Sequence, residues 1–76
     1  MYQDESDTQP LTVTYPVLRY FAYNHLPEGP LKSMSRSFSG WAVHVASNNI
    51  VYHPETEKAL HRLLEAKDAA VRSVLP

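Results

Sequence analysis

The stretch that decides the fold is GPLKSMSRSFSGWAVHVASNN, residues 29–49. Its apolar residues recur at spacings of three, four, three and four, the period of an amphipathic α-helix of about five turns. They are Leu31, Met34, Phe38, Trp41 and Val45. Pro30 suits the first helical position, where its missing N–H costs nothing, and the two asparagines at the far end suit a C-cap. The segment predicts a helix whose buried seam includes Phe38 and Trp41.

A second amphipathic helix follows after a connection of about six residues. His53 in the N-cap position and Pro54 after it open this helix, and two acidic residues stand beside the positive end of its dipole. A second seam then recurs at four, three, four and three, with one ionisable residue inside it. Its members are Leu60, Leu64, Lys67, Val71 and Val74. Because the connection is short, the sequence predicts that the two helices pack antiparallel as a helical hairpin.

The chain before the hairpin divides into three parts. Residues 1–10 are polar and acidic, which predicts a flexible tail. Residues 11–15, LTVTY, alternate and are rich in β-branched side chains, which predicts a short extended arm. Residues 17–25 predict a short helix. We therefore expect a tail and arm over residues 1–15 and a helical domain over residues 16–76.

The small size of the chain predicts self-association. The 76 residues weigh 8.6 kDa and include no cysteine, so disulfides and thiolate metal clusters are excluded. Single cores of fewer than roughly 70–80 residues seldom supply more than about 3–5 kcal/mol. Two amphipathic helices also leave an apolar flank uncovered. We expect an all-α homo-oligomer, from dimer to hexamer, whose copies share their cores.

The charge of the chain limits its partners. Seven Lys and Arg against eight Asp and Glu give a formal charge of −1, unlike the basic surface of a general nucleic-acid binder. A local cationic pocket for a small anion is still compatible with this balance. No run approaches 18 apolar residues, and the first twelve residues carry three acids and no base, the opposite of a signal peptide. The sequence predicts a cytoplasmic protein with no membrane partner.

The sequence gives no motif for catalysis or for metal binding. The four histidines do not pair at three- or four-residue spacing. They are His25, His44, His53 and His61. A G-x-S-x-G elbow and a glycine-rich phosphate loop are both missing. We expect neither an enzyme nor a cofactor nor a bound metal.

The aromatic and basic side chains are instead the components of a nucleotide pocket. Aromatic rings stack on bases, and Arg or Lys neutralise phosphates. The candidate ligand-binding residues are Tyr20, Tyr23, His25, Lys32, Arg36, Lys67 and Arg72. The two tyrosines are equally compatible with rings that lie on the core with their hydroxyls in water. Arg72 is also placed four residues after Asp68, where the two would form a solvated ion pair.

Lys67 is the sharpest anomaly, because it stands where the second seam predicts an apolar residue. Three roles fit a lysine there. It could pair across a subunit interface with an acid such as Glu65 or Asp68, extend its ammonium group to the surface, or contact a ligand phosphate in a shared cavity.

Four segments together resemble small bacteriophage proteins. They are FAYNHLP at residues 21–27, Ser-x-x-Phe-x-x-Trp-Ala at 35–42, Pro-x-x-Glu-x-x-Leu at 54–60 and LLEAKDAAVR at 63–72. The resemblance covers about fifty residues. The layout is similar to the two-helix hairpin of phage anti-CBASS sponges, a domain also shared with anti-Thoeris sponges.

The resemblance implies a function. Sponges of this kind assemble as homo-oligomers, typically hexamers, and sequester cyclic di- and trinucleotide immune signals without cleaving them. In them a tyrosine stacks on a base and a lysine contacts phosphate, and by position in the layout these correspond to Tyr23 and to Lys32 or Arg36. We therefore expect an anti-defence protein of the host cytoplasm that binds a cyclic oligonucleotide. The alternative is a small helical module that binds a host or phage protein through its uncovered apolar face.

Overall fold

The computed structural model describes residues 10–75, and the chain is all-α over this range, as the sequence predicts. Its elements in order are α1 (Leu11–Thr14), a 3₁₀ helix (Pro16–Phe21), α2 (Pro30–Ser47) and α3 (Pro54–Val74). Helices α2 and α3 make the most extensive contact, and the 3₁₀ helix packs against both. No helix in this part of the chain is long and apolar enough to cross a bilayer.

The extended arm predicted for residues 11–15 is wrong, because α1 forms a helical turn there. Val13 N–H donates to the Pro10 carbonyl at 2.9 Å, and Tyr15 N–H donates to the Leu11 carbonyl at 2.7 Å. These bonds satisfy the backbone locally, whereas a strand needs a partner strand and residues 10–75 contain none. Tyr15 is buried, so the packed core includes a residue assigned to the arm. The predicted tail before Pro10 lies outside the described residues.

The short helix predicted for residues 17–25 is a 3₁₀ helix that ends at Phe21. It buries three apolar side chains, which are Val17, Leu18 and Phe21. Ala22 after it is extended, with φ −62° and ψ 143°. All the apolar side chains that this turn buries precede Ala22.

The bounds predicted for α2 are confirmed. It begins at Pro30 after Gly29, whose φ of 149° is one that other residues rarely adopt. It ends at Ser47 with Asn48 as the C-cap, and the Asn48 amide nitrogen Nδ2 donates to the His44 carbonyl at 2.8 Å. Local signals in the sequence therefore fix both ends of this helix.

The buried face of α2 differs from the predicted seam by one residue. Trp41, predicted to lie in the core, is 62% exposed, and Ala42 beside it is fully buried. Ser35 and Ala46 are also buried, whereas Phe38 is partly buried against the core. The prediction for Trp41 is wrong because small side chains let the neighbouring helices approach closely on this face, and a Trp ring would hold them apart.

The predicted start of α3 and the first two residues of its seam are confirmed. The His53 ring nitrogen Nδ1 accepts a hydrogen bond from Glu55 N–H at 3.1 Å, and Pro54 occupies the first helical position. Leu60 is fully buried, and Leu64 packs partly buried against the core.

Tyr15 joins the core to the segment that connects α2 and α3. Its hydroxyl donates to the Asn49 carbonyl at 2.8 Å and accepts from His53 N–H at 3.0 Å. Its ring stacks on Tyr52 with 5.6 Å between ring centroids. The hydroxyl therefore satisfies polar backbone groups on both sides of the connection, which fixes the start of α3 relative to the 3₁₀ helix.

Candidate ligand-binding cleft

A cleft of about 370 Å³ lies where the 3₁₀ helix, the loop after it and the start of α2 meet α3. Its polar lining is Arg19, Tyr20, His25, Ser35, Lys67 and Asp68, and its apolar lining includes Leu26, Leu31 and Val71. Ligand pockets range from about 300 to 1,000 Å³, so this cleft is at the small end. An apolar wall with several convergent polar groups is the usual composition of a small-molecule site.

The 3₁₀ helix explains why Arg19 and Tyr20 border the cleft. Val17, Leu18 and Phe21 face the core, which leaves the two residues between them on the outside of the short helix. The Tyr20 side chain is 60% exposed, so a large part of its ring is open to a ligand. The two residues also border a second depression of about 300 Å³ that extends towards Glu57 and His61.

Lys67 makes a contact that none of its three predicted roles includes. Its ammonium nitrogen Nζ donates to the Tyr20 carbonyl at 2.6 Å and lies 5.8 Å from the centroid of the Phe21 ring. The lysine thus binds a carbonyl at the C-terminal end of the 3₁₀ helix, where a cation is favourable. An ammonium group has three donors, so this bond leaves capacity for a ligand.

The charged groups of the cleft take no part in the ion pairs found between residues 10 and 75. These pairs are Lys32–Glu28 at 3.0 Å, Arg62–Glu65 at 3.4 Å, Lys58–Glu55 at 3.5 Å and His61–Glu57 at 3.8 Å. The predicted pair between Asp68 and Arg72 is wrong, since no such contact lies within 4.0 Å. Asp68 faces the cleft instead. Two cations and one carboxylate of the cleft are therefore not neutralised by ion pairs.

Three of the seven predicted ligand-binding residues come together in this cleft, and they are Tyr20, His25 and Lys67. Tyr23 and Arg36 lie outside its lining and contact each other, with the guanidinium carbon 5.7 Å from the ring centroid.

Lys32 and Arg72 also lie outside the cleft lining. The Lys32 side chain is mostly buried and bonded to Glu28, and this hydrogen bond lowers the pKa of the Glu28 carboxyl. Arg72 is exposed in the last turn of α3. The residues placed by the sponge layout, Tyr23 with Lys32 or Arg36, are thus engaged with partners within the chain.

The cleft also includes Arg19 and Asp68, which the sequence does not predict as ligand-binding residues. Asp68 could have been predicted from its position in α3, because it follows Lys67 directly and lies less than one turn before Val71. Arg19 could not be predicted in this way, since its position depends on the 3₁₀ turn.

A hydrogen bond between side chains lies beside the second depression. The Tyr52 hydroxyl donates to the Glu57 carboxylate oxygen Oε1, and this bond raises the pKa of the Tyr52 phenol. Within the described part of the chain, no group of three or more His, Asp or Glu side chains could hold a metal ion.

No protein-family model matches the chain, and searches of curated proteins and solved structures found no match either. The resemblance to the sponge hairpin gains no support from these comparisons and stays a prediction. The candidate site therefore rests on the geometry of the cleft.

Proposed function

We propose that the protein is a non-catalytic binding protein that sequesters a small anionic ligand with an aromatic base. The observation that carries this proposal is the cleft, which gathers an exposed tyrosine, a histidine and two cations in one place. The resemblance to phage sponges narrows the ligand to a cyclic oligonucleotide immune signal, removed in the host cytoplasm by an anti-defence protein.

Base stacking is the first contribution to binding. The Tyr20 ring borders the cleft and is open to solvent, as a stacking platform must be. A base stacked on an aromatic ring contributes about 1–3 kcal/mol. Tyr20 takes this role in our proposal in place of Tyr23, because the Tyr23 ring already faces the Arg36 guanidinium.

Charge is the second contribution. Arg19 offers a guanidinium fork that suits phosphate oxygens, and Lys67 offers its remaining donors. Asp68 on the same wall repels phosphate but accepts hydrogen bonds from the N–H groups of a base. The favourable orientation places phosphate near the two cations and the base edge near the carboxylate.

The size of the cleft favours a shared site. A cleft at the small end of the ligand-pocket range suits one nucleotide unit better than a whole cyclic di- or trinucleotide. The proposal therefore includes a homo-oligomer, from dimer to hexamer, in which each copy holds part of the ligand. It also includes an antiparallel hairpin of α2 and α3, which the six-residue connection between Ser47 and Pro54 supports.

Isothermal titration of the full chain with a panel of cyclic di- and trinucleotides tests the proposal. We expect heat with at least one ligand and a loss of affinity of about 5- to 150-fold in Tyr20→Ala, equivalent to about 1–3 kcal/mol. Tyr23→Ala is the matched control outside the cleft and should bind like the wild type. Lys67→Met should weaken binding and reduce its dependence on salt. No heat with any ligand, or equal losses in the two tyrosine variants, would contradict the proposal.

A second candidate function is binding of a host or phage protein. Two consecutive apolar residues between α2 and α3, Ile50 and Val51, are 63% and 81% exposed. Adjacent exposed apolar side chains are typical of interaction surfaces. This candidate predicts a stoichiometric complex with one protein that Val51→Asp abolishes and Tyr20→Ala preserves.

A further inference from the structure

The outward face of α2 carries a shallow, open groove of about 360 Å³. Ser37, Gly40, Trp41 and His44 line it, and their spacing of three, one and three places them on one side of the helix. This side of α2 is opposite to the core, because the buried residues of the helix, Ser35, Ala42 and Ala46, lie on its other side. The groove shares no lining residue with the ligand-binding cleft.

Gly40, which lines the groove, has no explanation within a single chain. Glycine in a helix interior is less stable than alanine, so its presence needs a reason. Its backbone does not adopt the positive φ that favours glycine, because Gly29 is the glycine that does. A Cβ added at Gly40 would meet nothing within 4 Å. Neither the backbone nor the packing of this chain requires glycine at position 40. A second surface that approached the helix closely would require it, because any side chain there would hold that surface away.

Trp41 supplies the protrusion that matches this groove. Its side chain is mostly exposed, and its ring meets the His44 ring edge-on with 5.9 Å between centroids. The exposed Trp41 ring and the groove lined by Gly40 thus lie side by side on one face of α2. A twofold interface needs one patch that is complementary to itself, and a protrusion beside a groove meets this requirement.

The charge pattern favours a second copy of the chain as the occupant. The four residues that line the groove include no Asp, Glu, Lys or Arg, so two copies of this surface meet without like charges opposing each other. The 18 residues of α2 give a face about 27 Å long, and with a helix diameter of about 10 Å its area is roughly 270 Å², well below the roughly 800 Å² per partner of a standard stable complex. The association should therefore be reversible and in the micromolar range.

We propose that this face forms a twofold homodimer in which Trp41 of each copy fills the groove above Gly40 of the other. This inference does not rest on the proposed ligand or on the cleft.

Dilution of the full chain tests it, because Trp41 is the single tryptophan and its emission reports directly on this face. We expect the emission maximum to move to longer wavelength between about 100 µM and about 0.1 µM protein, as the ring passes from a buried site to water. Analytical ultracentrifugation should show dimer converting to monomer over the same range.

Two variants locate the interface. Gly40→Leu fills the groove with a good helix former, so it should keep the circular dichroism of the wild type and raise the dimer dissociation constant at least about tenfold. Trp41→Ala removes the protrusion from an exposed site and should have the same effect in ultracentrifugation. Ala69→Leu, at an exposed position of α3, is the matched control and should dimerise normally.

Two results would overturn the inference. They are a wild-type monomer at the highest concentration with constant emission, and a dimer that both groove variants leave intact.

Discussion

The Tyr15 hydroxyl satisfies backbone groups on both sides of the connection between α2 and α3. Tyr15→Phe removes the acceptor for His53 N–H and the donor to the Asn49 carbonyl. Because these groups lose their partner in a partly buried site, we expect the free energy of unfolding to fall by about 1–3 kcal/mol. Urea denaturation followed by circular dichroism measures this change.

Tyr20→Phe is the control for Tyr15→Phe. Tyr20 is exposed, so loss of its hydroxyl should change the free energy of unfolding by no more than about 0.5 kcal/mol. Equal effects of the two substitutions would show that the Tyr15 hydrogen bonds contribute no stability.

The Tyr52 hydroxyl is expected to make the stability of the fold depend on pH in the alkaline range. Its bond to Glu57 forms only while the phenol keeps its proton, so the pKa of Tyr52 in the folded chain lies above its ordinary value of 10.0. A group with a raised folded-state pKa stabilises the fold below its unfolded pKa and loses that contribution as the pH rises through the folded pKa. We expect stability to decrease above about pH 10 and this decrease to be smaller in Tyr52→Phe.

Tyrosine absorbance between about pH 9 and pH 12 measures the titration. Glu57→Gln removes the negative acceptor and should shift part of the titration to lower pH. Identical titration curves for Glu57→Gln and the wild type would refute the assignment.

At the scale of the elements, the contribution of the α3 N-cap to stability can be tested by substitution of one residue. The His53 ring accepts from Glu55 N–H, an N–H group that has no partner inside the helix. His53→Ala should lower the free energy of unfolding by about 0.5–2 kcal/mol, whereas His53→Asp should preserve it because aspartate is a preferred N-cap. Urea denaturation of both variants checks this. A destabilisation by aspartate equal to that by alanine would mean that the cap bond is unimportant.

The ends of α2 and α3 could be predicted because their signals are local. Gly29, Pro30 and Pro54 act through their own backbone geometry, which neighbours do not alter. The inward face of α2 could not be predicted in the same way, since two sets of positions one residue apart both keep the helical period. The choice between Trp41 and Ala42 depends on how closely other elements approach, and no local signal encodes that distance.

The site could be predicted only in its residue types. Tyr20, His25 and Lys67 were identifiable as aromatic or basic groups, but their meeting depends on where the 3₁₀ helix ends. The same turn places Arg19 in the cleft and leaves Tyr23 beside Arg36. Similarly, the β-branched residues of α1 favour a strand by their type. The segment is helical because the Pro10 carbonyl accepts hydrogen bonds from Val13 N–H and Thr14 N–H.

At the scale of the whole molecule, a small core makes each large buried side chain important. The largest fully buried apolar side chains in the described part of the chain are Tyr15, Phe21 and Leu60. Leu60→Ala should lower the free energy of unfolding by about 2–5 kcal/mol, a large share for a chain of this size. We expect the melting temperature followed by circular dichroism to fall by more than about 10 °C.

Leu75→Ala removes the same side chain from an exposed position after α3. It should change the free energy of unfolding by no more than about 0.5 kcal/mol. A similar small effect in Leu60→Ala would contradict the core described here.

The hydrogen bonds of Tyr15 also determine when the core can close during folding. They join residues separated by 34 and 38 positions, so they cannot form until most of the chain is in place. On the ribosome, α2 is synthesised while Tyr15 still lacks its partners, because Asn49 and His53 follow α2 in the connection to α3. Contacts this distant in sequence slow folding relative to a pair of adjacent helices. The protein should therefore complete its fold in a late step, when α3 docks and the N-terminal turn is secured at the same time.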